Sequence, residues 1–329
     1  MHCRAVVRAE SWPVRGEFRI ARGARRLAEV VVVELHRDGA VGRGECVPYV
    51  RYGESVDAVR STIEAAWAHI QGADARSRLR EMKAGAARNA LDCALWDLEA
   101  KLARQPVWKL LGCSCPPPAT PTMRTVSVAA PDEMSRAAAR LAGASTLKIK
   151  VDGGPDLERI AAVHEAAPRA SLVVDANESW SVSQLSRWLP ELPKWGVAVL
   201  EQPLASGAEE ALDDLESTVL LCADESFHHR GSLASIGDRY DMINIKLDKA
   251  GGLTEALRCI EEAKRRDLRV MIGCMVSTSL AIEPALLLAP SAELVDLDGP
   301  LLLEADREGA LHDAEAGLLR PSPAVWGGP

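Results

Sequence analysis

No stretch of the sequence approaches about 18 uninterrupted apolar residues, so no membrane-spanning helix is expected. The opening MHCRAVVRAESW lacks the apolar core of a secretory signal. Eight cysteines are scattered with no repeated C-x-x-C spacing, which speaks against a zinc site. Reduced thiols in a cytoplasmic protein are the expectation. Long basic runs are missing too. Lys and Arg number 39 against 47 Asp and Glu, a formal charge of −8, so neither a nucleic-acid nor a membrane partner is expected. G-x-G-x-x-G follows no strand-like run, which removes the signature of a Rossmann dinucleotide fold.

What remains is a chain of 329 residues, 47% hydrophobic and 26% charged, long enough for one large domain and a smaller one. The first third mixes structure types. LAEVVVVELH and GAVGRGEC read as strands joined through the turn signal RDG. SVDAVRSTIEAAWAHI, with Ser55 as its cap, and GAARNALDCALWDLEAKLAR carry apolar residues at helical spacing. This α+β module ends near the proline-rich CSCPPPATPT.

Beyond it, short apolar runs recur roughly every 21 to 28 residues and alternate with helical segments. They are RTVSVAA, TLKIKVD, SLVVDAN, VAVLEQP, LLCADES, MINIKLD, RVMIGCM and AELVDLD. Between them PDEMSRAAARLAG, DLERIAAVHEAA, SVSQLSRWLPEL, EEALDDLES, SLASIG and LTEALRCIEEAKRR read as helices. Eight strands with intervening helices predict a fold of class α/β: a modified TIM (β/α) barrel with an N-terminal α+β capping domain. The expected division is 1–118 for the cap, 119–300 for the barrel and 301–329 for a segment returning to the cap.

Barrel enzymes carry their chemistry at the C-terminal ends of the strands. Here those ends supply Lys148 and Lys150, Asp175 and Asn177, Glu201, Asp224 and Glu225, Lys246, and Asp296 and Asp298. In TLKIKVD the side chains alternate, so both lysines share one face while Leu147, Ile149 and Val151 share the other. The apolar face must meet the helices, which turns the lysines into the barrel. Lysine guarding a solvated edge strand is the competing explanation, but a closed barrel has no edges.

Asp175, Glu201 and Asp224 end three successive strands. Three converging carboxylates repel unless a cation joins them, and hard oxygen donors without His or Cys suit Mg2+. Helix-capping acids are the bland alternative. Lysines from the second and sixth strands then flank the metal from opposite sides. That layout suits proton transfer at a carbon next to a carboxylate, the metal holding the enolate. A lysine base must fall from about 10.4 to about 7 to 8, a change on the order of 4 kcal/mol. The charge of Lys148 would push Lys150 in that direction.

KIK, VVDANESW, LEQP, ADES and NIKLDKAGG, in this order, resemble the enolase superfamily, in its muconate-lactonising subgroup. The resemblance covers nearly the whole chain. It implies that Asp175, Glu201 and Asp224 bind magnesium, that Lys150 and Lys246 are the acid/base pair on opposite faces, and that Lys148 tunes Lys150 and touches substrate. Dipeptide epimerases of that subgroup carry Asp-x-Asp on the eighth strand, matched by Asp296 and Asp298 in VDLDGP. Two carboxylates on one strand face can hold a free α-ammonium. FRIARG, PYVRYGES, GAARNALDCALWDLEA and GCMVSTS further resemble bacterial L-Ala-D/L-Glu epimerases. The implied substrate is a small dipeptide, and the implied setting is cytoplasmic murein-peptide recycling.

A side-chain carboxylate on the second residue calls for a cation, and RIARGARR offers Arg19, Arg22, Arg25 and Arg26; Arg22 is a candidate contact, and which of the four points inward stays open at this level. Thr125, Cys274 and Met275 are further expected substrate contacts. Another side-chain preference, cycloisomerisation, o-succinylbenzoate synthesis, Schiff-base chemistry and a non-catalytic barrel stay open at this level. So does oligomeric state, a homo-oligomer included.

Overall fold

The computed structural model describes residues 3–72, 74–213, 215–310, 312–313 and 317–329. Strands β1 (Arg4–Ile20), β2 (Gly23–Arg37) and β3 (Ala40–Cys46) form an antiparallel sheet in that order. Asp38 and Gly39, both at positive φ, make the turn that RDG predicts. The register of β1 on β2 shifts between Pro13 and Phe18, where proline offers no donor to the ladder.

The run VVVV in β2 is apolar on both faces because both faces are covered. Val31, Val33 and Leu35 pack under α1 (Val56–Ile70) and α2 (Ala86–Ala103), whereas Val30 and Val32 join the core shared with the barrel. Ser55 caps α1 by accepting a hydrogen bond from Ala58 N, and Val59, Ile63, Trp67 and Ile70 form its buried stripe.

Helix α2 is buried nearly all round, wedged between β3 and the barrel. Gly44 makes that approach possible, since a Cβ there would lie 2.1 Å from Ala90 O. The polar residues of α2 fasten the cap to the barrel. Arg88 donates to Ala250 O and Gly251 O, Asp92 accepts from Thr254 N, and Asn89 donates to Asp248.

The barrel consists of β4 (Arg124–Val126), β5 (Thr146–Lys150), β6 (Ser171–Asp175), β7 (Val197–Glu201), β8 (Leu220–Ala223), β9 (Met242–Lys246), β10 (Arg269–Gly273) and β11 (Leu294–Asp296). Neighbours in sequence pair in parallel throughout. The ends meet where Met123 N donates to Val295 O at 2.9 Å and Thr125 N to Asp298 Oδ2 at 2.7 Å. All eight apolar runs are therefore strands. Met123, Val173, Val199, Cys222, Met242 and Met271 fill the lower interior, which makes the barrel a packed core with its polar residues above.

Two expected helices shrink. Among the described residues of EEALDDLES a 3₁₀ turn covers Glu209–Leu212, where Glu209 turns inward to accept from Ser226 Oγ and from Gly207 N. SLASIG forms one turn, Leu233–Ile236, ended by Gly237 at positive φ. At the C-terminus Leu318–Leu319 pairs with Thr120–Pro121. Trp326 Nε1 then donates to Cys93 O, and Val107 N to Gly327 O, both within the N-terminal module.

Candidate active site

Strand register builds the site in rows. Lys150, Asp175 and Glu201 stand side by side on β5, β6 and β7. Lys246, Gly273 and Asp296 do so on β9, β10 and β11. Strands β5 and β9 are four places apart in an eight-strand order, so Lys150 and Lys246 face each other across the mouth.

Their surroundings are nearly sealed. Lys150 and Lys246 keep 7% and 6% of their surface exposed, enough to reach a cavity of about 150 Å³, whereas Lys148 keeps 1%. Lys150 Nζ lies 2.5 Å from Asp175 Oδ2 and Lys246 Nζ 2.6 Å from Asp224 Oδ2. Lys148 sits beneath them, with Glu201 and Asp296 at 2.7 Å and Asp175 at 3.1 Å. A buried charge without such partners would be prohibitively unstable.

These pairs set the protonation states. Burial opposes the charge on Lys148, but Asp296, Glu201 and Asp175 outweigh it and hold the lysine well above its ordinary range. Lys246 is raised as well: burial opposes its charge, but Asp224 and Glu201 together hold it above its ordinary range. Burial likewise opposes ionisation of Asp175 and Asp224, and their lysines still hold both below the usual carboxylate range. Glu201 goes the other way. Burial and the neighbouring charge of Asp175 raise it to about 7, despite Lys148.

Asp175, Glu201 and Asp224 bring ligand oxygens within 4.8 Å of one another. Glu201 Oε1 accepts from Asn244 Nδ2 at 2.8 Å. Glu201 Oε2 is at ion-pair distance from Lys148 but accepts no hydrogen bond, although it is fully buried. A buried carboxylate oxygen that accepts no hydrogen bond, among converging carboxylates, is what a hard divalent cation would satisfy, so the donor set fits magnesium.

The cap supplies the roof of the cavity. Ile20, Arg22 and Arg25 from the β1–β2 hairpin, with Tyr49 and Tyr52, face Thr125, Cys274, Met275, Asp296 and Asp298 from the barrel. Asp298 accepts from Thr125 N, while burial and the charge of Asp296 raise it to about 6. Arg22 is fully engaged. It donates to Asn177 O at 2.8 Å, Glu225 Oε1 at 2.6 Å and Glu178 Oε2 at 3.1 Å. Arg25 lies over the Tyr49 ring at 4.9 Å and makes no ion pair among the described residues.

Sequence reasoning attached no role to several residues here. Lys249 is buried and donates to Asp224 O, Asp224 Oδ1 and Asn244 O. Gln202, at positive φ, accepts from Asp224 N and Ser226 N and so orients the β8 end. The motifs LEQP and NIKLDKAGG contain both residues, but no spacing rule marks them.

Residues 132–314 match the model of the enolase C-terminal domain-like family. Residues 2–112 match the N-terminal domain of mandelate racemase / muconate lactonizing enzyme. This chain belongs to the enolase superfamily. Within the superfamily it is 46% identical to the L-Ala-D/L-Glu epimerase of Escherichia coli K12, over 92% of this chain and 95% of that one. A solved enolase-superfamily structure from Agrobacterium tumefaciens, described as homologous to dipeptide epimerases and holding sodium and L-Ala-L-Glu, superposes with a TM-score of 0.96. The two are 43% identical and the match covers 99% of this chain and 100% of that one. A dipeptide epimerase from Enterococcus faecalis, complexed with Mg and L-Leu-L-Tyr, superposes at 0.90 with 29% identity, over 97% and 96% of the two chains. Among the described residues no helix is long and apolar enough to cross a membrane.

Proposed function

We propose that this enolase-superfamily member is a dipeptide epimerase. It inverts the α-carbon of the C-terminal residue, with L-Ala-D/L-Glu the preferred substrate. The observation that carries the reading is the pair Lys150 and Lys246, opposed across a cavity that ends in Asp296 and Asp298.

The chemistry follows from that geometry. Asp296 and Asp298 take the free α-ammonium, which fixes the dipeptide's direction in the cavity. Its C-terminal carboxylate then lies over Asp175, Glu201 and Asp224. Asp175, Glu201 and Asp224 would hold a magnesium ion, which would supply positive charge to stabilise negative charge on the substrate carboxylate. With the dipeptide so oriented, one lysine removes the α-proton and the other delivers a proton to the opposite face. Lys150 and Lys246 exchange roles with reaction direction. Each lysine must be a neutral amine to act as base, and for Lys246 the carboxylate of Asp224 opposes that. Lys148 has its charge spent on three carboxylates, so its part is to keep the triad in register beneath the substrate.

Arg25 supports glutamate as the second residue. Arg22 has two carboxylate partners already, whereas Arg25 faces the cavity with none among the described residues. A free guanidinium on an aromatic ring is a natural partner for a side-chain carboxylate. A panel of L-Ala-L-Xaa dipeptides tests this, scored by deuterium uptake at the α-carbon of Xaa. L-Ala-L-Glu is expected to lead. Arg25→Ala should raise its KM on the order of 100-fold while leaving L-Ala-L-Ala nearly unchanged. An equal loss on both dipeptides, or a panel led by a cationic or apolar residue, would refute the glutamate assignment.

A further inference from the structure

Glu178 lies three residues beyond Asp175, outside both the carboxylate triad and the lysine pair. It sits at φ 69°, after Asn177 at φ 46°, two successive non-glycine residues in the left-handed region. This backbone aims its side chain up at the cap, where only 9% of it stays exposed. Oε1 accepts from Arg51 Nη2 at 2.7 Å and from Ser206 N at 2.8 Å. Oε2 accepts from Arg51 Nε at 2.8 Å and from Arg22 Nη1 at 3.1 Å.

One carboxylate thus gathers four donors from three segments distant in sequence. Arg22 belongs to the β1–β2 turn, Arg51 to the 3₁₀ turn Val50–Tyr52, and Ser206 to the loop after β7. Both cap segments roof the cavity, the first through Ile20 and Arg25, the second through Tyr49 and Tyr52. Among the described residues Glu178 is the one ion-pair partner of Arg51. Arg22 has a second carboxylate in Glu225, so among the described residues two ion pairs tie the hairpin to the barrel and one ties the Val50–Tyr52 turn.

We propose that Glu178 is a positioning residue that clamps both roof segments onto the barrel mouth and thereby fixes the subsite for the second residue's side chain. It does not touch substrate. It sets where Arg25 and the two tyrosines stand, by holding the turns that carry or adjoin them. Its substrate arm rests on the dipeptide reading above, whereas its conformational arm does not.

Glu178→Gln keeps the side chain's size and removes its charge, and Arg51→Gln breaks the same pair from the cap. Hydrogen–deuterium exchange on the free protein should speed up in both 19–25 and 49–53 for Glu178→Gln, and in 49–53 for Arg51→Gln, with the barrel strands unchanged. In kinetics, KM for L-Ala-L-Glu should rise roughly tenfold or more with kcat nearly constant, and KM for L-Ala-L-Ala should move far less. Glu178→Asp should recover part of the loss. Unchanged exchange in the two segments, or equal rises in KM for both dipeptides, would overturn the clamp. Should Glu178→Gln fail to fold, Arg51→Gln alone decides, through exchange in 49–53 and the same comparison of KM values. Absence of epimerisation by the unaltered protein would sink the dipeptide reading, and the exchange experiment would still decide the clamp.

Discussion

Lys150→Ala and Lys246→Ala are each expected to lower kcat for epimerisation by at least about 10³-fold. General acid–base catalysis is worth that much when the base is positioned, and neither lysine has a substitute on its own face of the cavity. Both variants should fold. Without Lys150, Asp175 keeps Lys148, and without Lys246, Asp224 keeps Lys249. No carboxylate of the triad is left buried beside no cation. Asymmetry is the sharper expectation. Each variant should still exchange the α-proton of the one epimer whose C–H bond faces the surviving lysine. Proton NMR of L-Ala-L-Glu and L-Ala-D-Glu, each in deuterated water with each variant, measures this. Opposite epimers should exchange in the two variants. Full inversion by either variant, or exchange of the same epimer by both, would remove the two-base assignment.

Loss of the cation should cost nearly as much. Chelation of divalent ions is expected to abolish turnover, and added Mg2+ to restore it, because charge stabilisation of several kcal/mol corresponds to about 10³-fold or more in rate. Glu201→Gln isolates the triad's part. Glu201 is pushed up to about 7 by burial and by Asp175, so its neutralisation relieves repulsion in the metal-free protein. The variant should match or exceed the unaltered protein in metal-free Tm. It should also lack the rise in Tm that Mg2+ gives to a protein binding it only when folded. A Glu201→Gln protein that is still stabilised by Mg2+ to the same degree would show that the triad is not the site.

Much of this was legible because a parallel barrel imposes a simple grammar. Every strand is buried on its outer face, so apolar runs mark strands, and polar residues at their C-terminal ends mark the mouth. Lys148 and Lys150 among Leu147, Ile149 and Val151 show that grammar directly, and the aliphatic residues do lie in the core under the helices. Strand counting also places β5 opposite β9. Depth was not legible. Alternation puts Lys148 and Lys150 on one face but does not reveal that one is sealed under the triad while the other reaches the cavity.

The roof was harder still. RIARGARR contains four arginines: Arg19 and Arg26 pair with nearby Glu17, whereas Arg22 pairs with Glu178 and Glu225, more than 150 residues away. Lys249 was invisible for a related reason. Its partners are backbone carbonyls and Asp224, brought to it by the turn after β9 rather than by strand periodicity. The short form of SLASIG reflects a glycine constraint that helical periodicity does not encode.

The proton itself gives the most direct test. The protein is incubated with L-Ala-L-Glu and Mg2+ in deuterated water, and the α-protons are followed by NMR and mass spectrometry. Transfer through Lys150 and Lys246 gives L-Ala-D-Glu carrying one deuterium at the glutamate α-carbon and none at the alanine α-carbon. Failure to form the D-epimer, or its formation without deuterium at that carbon, would contradict it.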